Sequence, residues 1–169
     1  MHHAMTWNHA AHPARFCAAV GAARSTLFPL DRSSANQSAV VPYFFGRRNP
    51  LMTEAFLAAL LACGVDTLAA EQTELYDADD QRIPGTWMHV TVLARIAAAD
   101  LEHSIAVKEG VGYRFDQLVI DPTRTRGARM FRLAEDPTHV WVDELVRTHL
   151  HAHGFHHLRF WRPTQVASL

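Results

Sequence analysis

Only two cysteines, Cys17 and Cys63, occur in 169 residues, and they share no metal-ligand spacing. That argues against a disulfide framework and makes a reducing compartment the expectation. Long apolar runs are missing too. The longest near the N-terminus, Phe16 to Ala23, is short and follows no basic segment. Neither a signal peptide nor a membrane span is expected, and the cytoplasm is the expected location. A basic excess is lacking: 16 Lys and Arg against 17 Asp and Glu leave a net charge of -1, which argues against a general nucleic-acid binder. Signatures of catalysis are also absent. There is no GxSxG elbow, no Walker loop and no HExxH pair. "GVGYRF" (110–115) is too short and wrongly placed for a dinucleotide fingerprint. Asp77, Asp79 and Asp80 lack the glycine and glutamate of an EF-hand loop, so a solvated turn is expected there. Cys63 sits at an apolar helix end and reads as an inert core residue. Arg124 and Arg126, in the turn "RTRG", read as surface rather than as a phosphate site.

What the chain does have is apolar content, 49%, enough for a real core. Residues 1–38 show no sustained period and read as a partly ordered N-terminal arm with a mobile start, carrying a turn or two of helix between Pro13 and Leu27. Residues 39–169 read as one domain. Thr53 is placed to cap a helix, Glu54 falls in its favourable first turn, and Gly64 is suited to stop it. Asp143 and Glu144 open a second helix, which stops at Gly154. Strands are expected in "VVPYFFG", "VDTLAAEQTELYD", "TWMHVTVLA", "YRFDQLVID", "ARMFRLAE" and "FHHLRFW", and a looser stretch between Ala97 and Gly112. Two segments match each other, 44–68 and 131–158. Phe44 pairs with Phe131, Asn49-Pro50 with Asp136-Pro137, Glu54 with Glu144, Leu60 with Leu150, Gly64 with Gly154 and Leu68 with Leu158. The expected fold is α+β: a single domain with a mixed or antiparallel sheet of about six strands and two main helices. It divides into two similar strand-helix-strand halves.

The densest chemistry is "HLHAHGFHHLRFW" (149–161), which holds five of the twelve histidines. A zinc site would need His149, His153 and one of His156 or His157 to converge with a carboxylate such as Asp143 or Glu144, as in a small metal-dependent enzyme. The favoured reading is structural. His153 lies where it can donate to the last helix carbonyls, and His149 and His151 suit an exposed helix face. No metal, no cofactor and no catalytic residue is therefore expected.

The stretch 115–163 resembles the C-terminal half of immunity-protein family eleven of bacterial polymorphic toxin systems. The residues that carry the resemblance are Leu118 to Asp121, Phe131-Arg132-Leu133, Asp143-Glu144, Gly154 and Leu158-Arg159-Phe160. Upstream, "NPLMTEAFLAALLACGVDTL" and "GTWMHVTVLARIAAADLEHS" look like the family's first half, so about residues 42–163 are covered. The resemblance implies a non-enzymatic protein that binds and neutralises a cognate toxin. Tight neutralisation uses charge to steer encounter and buried aromatics to anchor it. The expected partner surface is Glu74, Asp77, Asp79 and Asp80 with Trp87 across the hairpin, which would suit a basic, nuclease-like toxin.

Overall fold

Thr53 and Asp143 decide where the two helices begin. The Thr53 hydroxyl accepts the Phe56 amide at 3.3 Å, and the Asp143 carboxylate accepts the Val146 amide at 2.8 Å. Helix α1 then runs over Glu54–Ala62 and α2 over Glu144–Ala152 in the computed structural model. Each ends the same way. Val65 and Phe155 donate back to Leu60 and Leu150, both at 3.1 Å, across a left-handed glycine, Gly64 (φ 85°) and Gly154 (φ 86°). This is the closure that satisfies the last carbonyls of a helix. Thr53→Ala and Asp143→Ala are each expected to cost about 1 kcal/mol, read as a lowered urea midpoint at unchanged slope.

The structure describes residues 1–7, 16–20, 23–28, 44–45, 50–76, 81–156 and 158–168. Its strands are β1 (His2–Trp7), β2 (Phe16–Val20), β3 (Ala23–Phe28), β4 (Phe44–Phe45), β5 (Leu51–Thr53), β6 (Leu68–Tyr76), β7 (Trp87–Val92), β8 (Arg95–Ile96), β9 (Ile105–Glu109), β10 (Gly112–Gln117), β11 (Met130–Leu133), β12 (Val140–Asp143) and β13 (Leu158–Trp161). A short 3-10 helix, Pro163–Ser168, follows. The fold is α+β, as expected; the described residues hold two α-helices, and their strands form three sheets. One has six strands in the order β3-β2-β6-β7-β5-β4, one has five in the order β13-β1-β12-β11-β8, and β9 and β10 form a hairpin.

The register shows how the two halves correspond. In the first, β5 and β6 flank β7, which runs antiparallel to both: Thr53 pairs with Trp87, and Trp87 pairs with Thr73. In the second, β12 and β13 flank β1 in the same way: Asp143 pairs with His2, and Trp7 pairs with Leu158. Superposing the two helix caps therefore places β1 on β7, with Met5 at the position of Val90 and Leu158 at that of Leu68. The N-terminus of the chain thus fills a slot that the first half fills with its own next strand. One detail of the sequence match is corrected. Phe45 faces Leu51 as Phe131 faces Trp141, so the partner of Phe131 is Phe45 and not Phe44.

The N-terminal expectation is corrected as well. The start of the chain is no mobile arm, because β1 lies between two strands, with Ala4 fully buried and Met5 3% exposed. Nor does the segment after Pro13 form a helix where it is described. Phe16–Val20 and Ala23–Phe28 are paired strands, and β2 joins β6. The reason is tertiary: two open strand edges satisfy more backbone groups of this weakly periodic segment than one helical turn would.

Two apolar clusters cover opposite faces of the five-stranded sheet. Met5, Met130, Val140 and Val142 meet Phe56, Leu57 and Leu60 of α1 and Val146 and Leu150 of α2, together with Met52, Val90 and Val92 from the six-stranded sheet. On the reverse face, Ala4, Phe131, Leu133 and Trp141 meet Phe115 and Leu118, which belong to the β9–β10 hairpin and its exit. Gly112 lets that hairpin dock. A Cβ there would stand 2.7 Å from the Glu135 carbonyl oxygen, which instead accepts the Tyr113 amide at 2.9 Å.

Candidate functional site

The acidic surface expected from the sequence is described only in part. Glu74 stands on β6, exposed, with its carboxylate 3.3 Å from Arg82 Nε and accepting the Tyr76 hydroxyl at 2.5 Å. Asp77, Asp79 and Asp80 lie outside the described residues. Trp87 does not belong to this surface. It is 2% exposed, opposite Thr73, which is also buried. Strict alternation would give β7 one wet face. Here Met88, Val90 and Val92 turn toward the helices while Trp87 is covered on the other side, so both faces are apolar at this end.

The C-terminal histidines do not gather around a point. His149 and His153 stack face to face with ring centroids 4.0 Å apart, and His153 Nδ1 donates to the His149 carbonyl at 2.8 Å. A stacked pair brings ring faces together, whereas shared metal ligation requires nitrogen lone pairs to converge. His151 lies 5.8 Å from the rings of His156 and Phe160. His157 lies outside the described residues. Among the described residues no group of three or more His, Cys, Asp or Glu side chains is arranged to hold a metal ion.

A different cluster joins the two ends of the chain. His3, buried on β1, places Nε2 2.6 Å from Glu144 Oε2 at the start of α2. Arg147 grips the same carboxylate, with Nε at 2.9 Å from Oε1 and Nη2 closer still. The Arg147 hydrogen bond, with a further contribution from His3, overcomes desolvation and pulls the Glu144 pKa down to about 2. Only the Glu144–Arg147 spacing was visible in the sequence; His3 is 141 residues away.

A carboxylate with a depressed folded-state pKa adds stability above its unfolded value, near 4.5, and loses it as the pH falls toward 2. Glu144 is 41% exposed, so solvent screening limits the gain to at most about 1 kcal/mol. Glu144→Gln should therefore lower the urea midpoint near neutrality, and the difference from the parent chain should shrink as the pH falls below about 4.5 and disappear only below about 2. A constant difference across that range would mean that the charge is irrelevant.

Several other polar groups among the described residues hold local structure. Burial raises the Cys63 pKa, as does the nearby charge of Asp143, and its thiol donates to the Leu60 carbonyl at 3.2 Å. Arg132, whose pKa burial lowers, holds the loop before β12 through the carbonyls of Pro137 (2.8 Å) and Thr138 (3.3 Å). In that loop burial pushes the Asp136 pKa up, but His139 and the Thr138 amide bring it below its ordinary value. His139 Nδ1 stands 3.4 Å from that carboxylate. In the turn after β10, Arg124 Nε is 3.1 Å from Asp121, as expected of a structural surface turn.

No protein family matches the chain, and no curated protein does. No helix among the described residues is long and apolar enough to cross a membrane.

Proposed function

We propose that this chain is a non-catalytic binding protein of the cytoplasm, an immunity protein that neutralises a cognate bacterial toxin by occupying its surface. The observation that carries this reading is where the residues of the resemblance fall. Leu118, Phe131 and Leu133 lie in the cluster behind the five-stranded sheet. Asp143 caps α2, Gly154 stops it, and Leu158 closes the main core. These motifs build a scaffold, and a scaffold is what an inhibitor requires: a rigid support for a variable surface. The partner surface is the acidic end of β6 at Glu74, continuing in sequence through Asp77, Asp79 and Asp80. Such a run of negative charge would steer a basic toxin.

The test is co-expression with the product of a toxin-like reading frame next to this gene, scoring growth rescue and co-purification. Rescue with a stable complex supports the reading, and absence of both overturns it. Within that complex, Asp79→Lys combined with Asp80→Lys should weaken association and flatten its salt dependence. Unchanged affinity and salt dependence would move the interface elsewhere.

A further inference from the structure

The β9–β10 hairpin has one edge covered and one edge with which no described strand pairs. Its two-residue loop, Gly110-Val111, has φ +60° at Gly110 and joins the closing pair Glu109 and Gly112. That is the glycine-first turn of a tight hairpin. The hydrogen-bonding phase follows from β10. The Tyr113 amide points away from β9, to the Glu135 carbonyl at 2.9 Å. Lys108, paired with Tyr113, is therefore in a non-hydrogen-bonded pair, and so is Ala106, two residues on. The amide and carbonyl groups of Ala106 and Lys108 consequently point to the far edge of β9, with which no described strand pairs.

That edge carries no proline. Lys108 and Glu109 are its charges, and apolar side chains stand exposed beside them: Ile105 is 58% exposed, Val107 46% and Val111 106%. The two outward-bonding residues stand symmetrically about Val107. Across a two-fold axis with Val107 facing Val107 of a second copy, each Ala106 would face a Lys108 and exchange two backbone hydrogen bonds with it. No like charges would stand directly opposite one another. Lys108 would face alanine and Glu109 would face Ile105, with Glu109 already held by Arg114 at 2.9 Å. The two valines would form the close, non-hydrogen-bonded pair at the centre.

We infer that β9 is a dimerisation strand, and that two copies of this chain pair antiparallel through it into a four-stranded sheet centred on Val107. This is an isologous contact, so it closes at two copies. It is independent of the toxin-binding reading.

Light scattering on the full chain over a concentration series should show a monomer–dimer equilibrium. Val107→Cys should give, on oxidation, a disulfide-linked dimer with the 107–107 link identified by peptide mapping, since the close pair has the Cα spacing a disulfide needs. Lys108→Pro removes one outward amide and leaves the β9–β10 ladder its hydrogen bonds, so it should abolish the dimer while the far-ultraviolet spectrum is kept. A monomer at every concentration with no 107–107 link overturns the inference. So does a dimer that survives Lys108→Pro, or one cross-linked elsewhere, which would place another surface at the contact. Should Lys108→Pro fail to fold, the Val107→Cys link decides alone.

Discussion

Replacing Met5 with aspartate is expected to leave a chain without a cooperative thermal transition. Met5 is 3% exposed and belongs to the cluster that both helices and two sheets share. It lies on β1, between Val140 on one side and Phe160 on the other. An unpaired carboxylate there loses its hydration, which costs several kcal/mol even after relaxation. The whole folded state of such a domain is worth only about 5–15 kcal/mol. The loss would also reach far. Without β1, β12 and β13 have no strand between them and α2 loses part of the surface it packs on. Thr91→Asp, on the equivalent strand β7 but exposed, is the control and should stay within about 0.5 kcal/mol of the parent. A sharp transition in the Met5 variant close to the parent's would show that β1 is dispensable, and the pairing with β12 and β13 would then be wrong.

This prediction also marks the limit of what was legible in the sequence. Local signals were readable. The caps Thr53 and Asp143, the stops Gly64 and Gly154, and the match of Leu68 to Leu158 all reappear in the structure, because each depends on residues within a turn or two. The strand "HHAMTW" was not readable. It is short and polar at its start, and its burial comes from partners about 140 residues later. The strand β9 was hidden for a related reason: its exposed valine and isoleucine alternate with alanine and lysine, which resembles a loop when nothing packs on one side. Trp87 failed by parity. Alternation assigns a residue to a face, but only tertiary packing decides whether that face is wet. In the candidate site, the histidine cap at His153 could be anticipated from helix-end chemistry, whereas the His3–Glu144 contact required knowing that the chain's two ends meet.

The second large effect concerns the reverse face of the five-stranded sheet. Trp141 is 1% exposed there, facing Phe131 across the strand pair, within the cluster that seats Phe115 and Leu118. Trp141→Ala should cost about 3–5 kcal/mol, the price of a large buried aromatic and the cavity it leaves. The damage should be local before it is global. Hydrogen exchange should accelerate first in 105–117, which rests on this cluster, while the amides of α1, packed on the other face, keep their protection.

Trp141→Phe separates packing from polarity at the same position. The indole Nε1 is buried and has no hydrogen-bond partner among the described residues. Leaving such a donor unsatisfied costs about 1–3 kcal/mol, which phenylalanine removes together with part of the ring volume. The two changes oppose each other, so the phenylalanine variant should unfold within about 1 kcal/mol of the parent. If phenylalanine proves as damaging as alanine, volume alone cannot explain the loss. The indole nitrogen would then have to be bonded, and an ordered water at that site would be the first partner to look for.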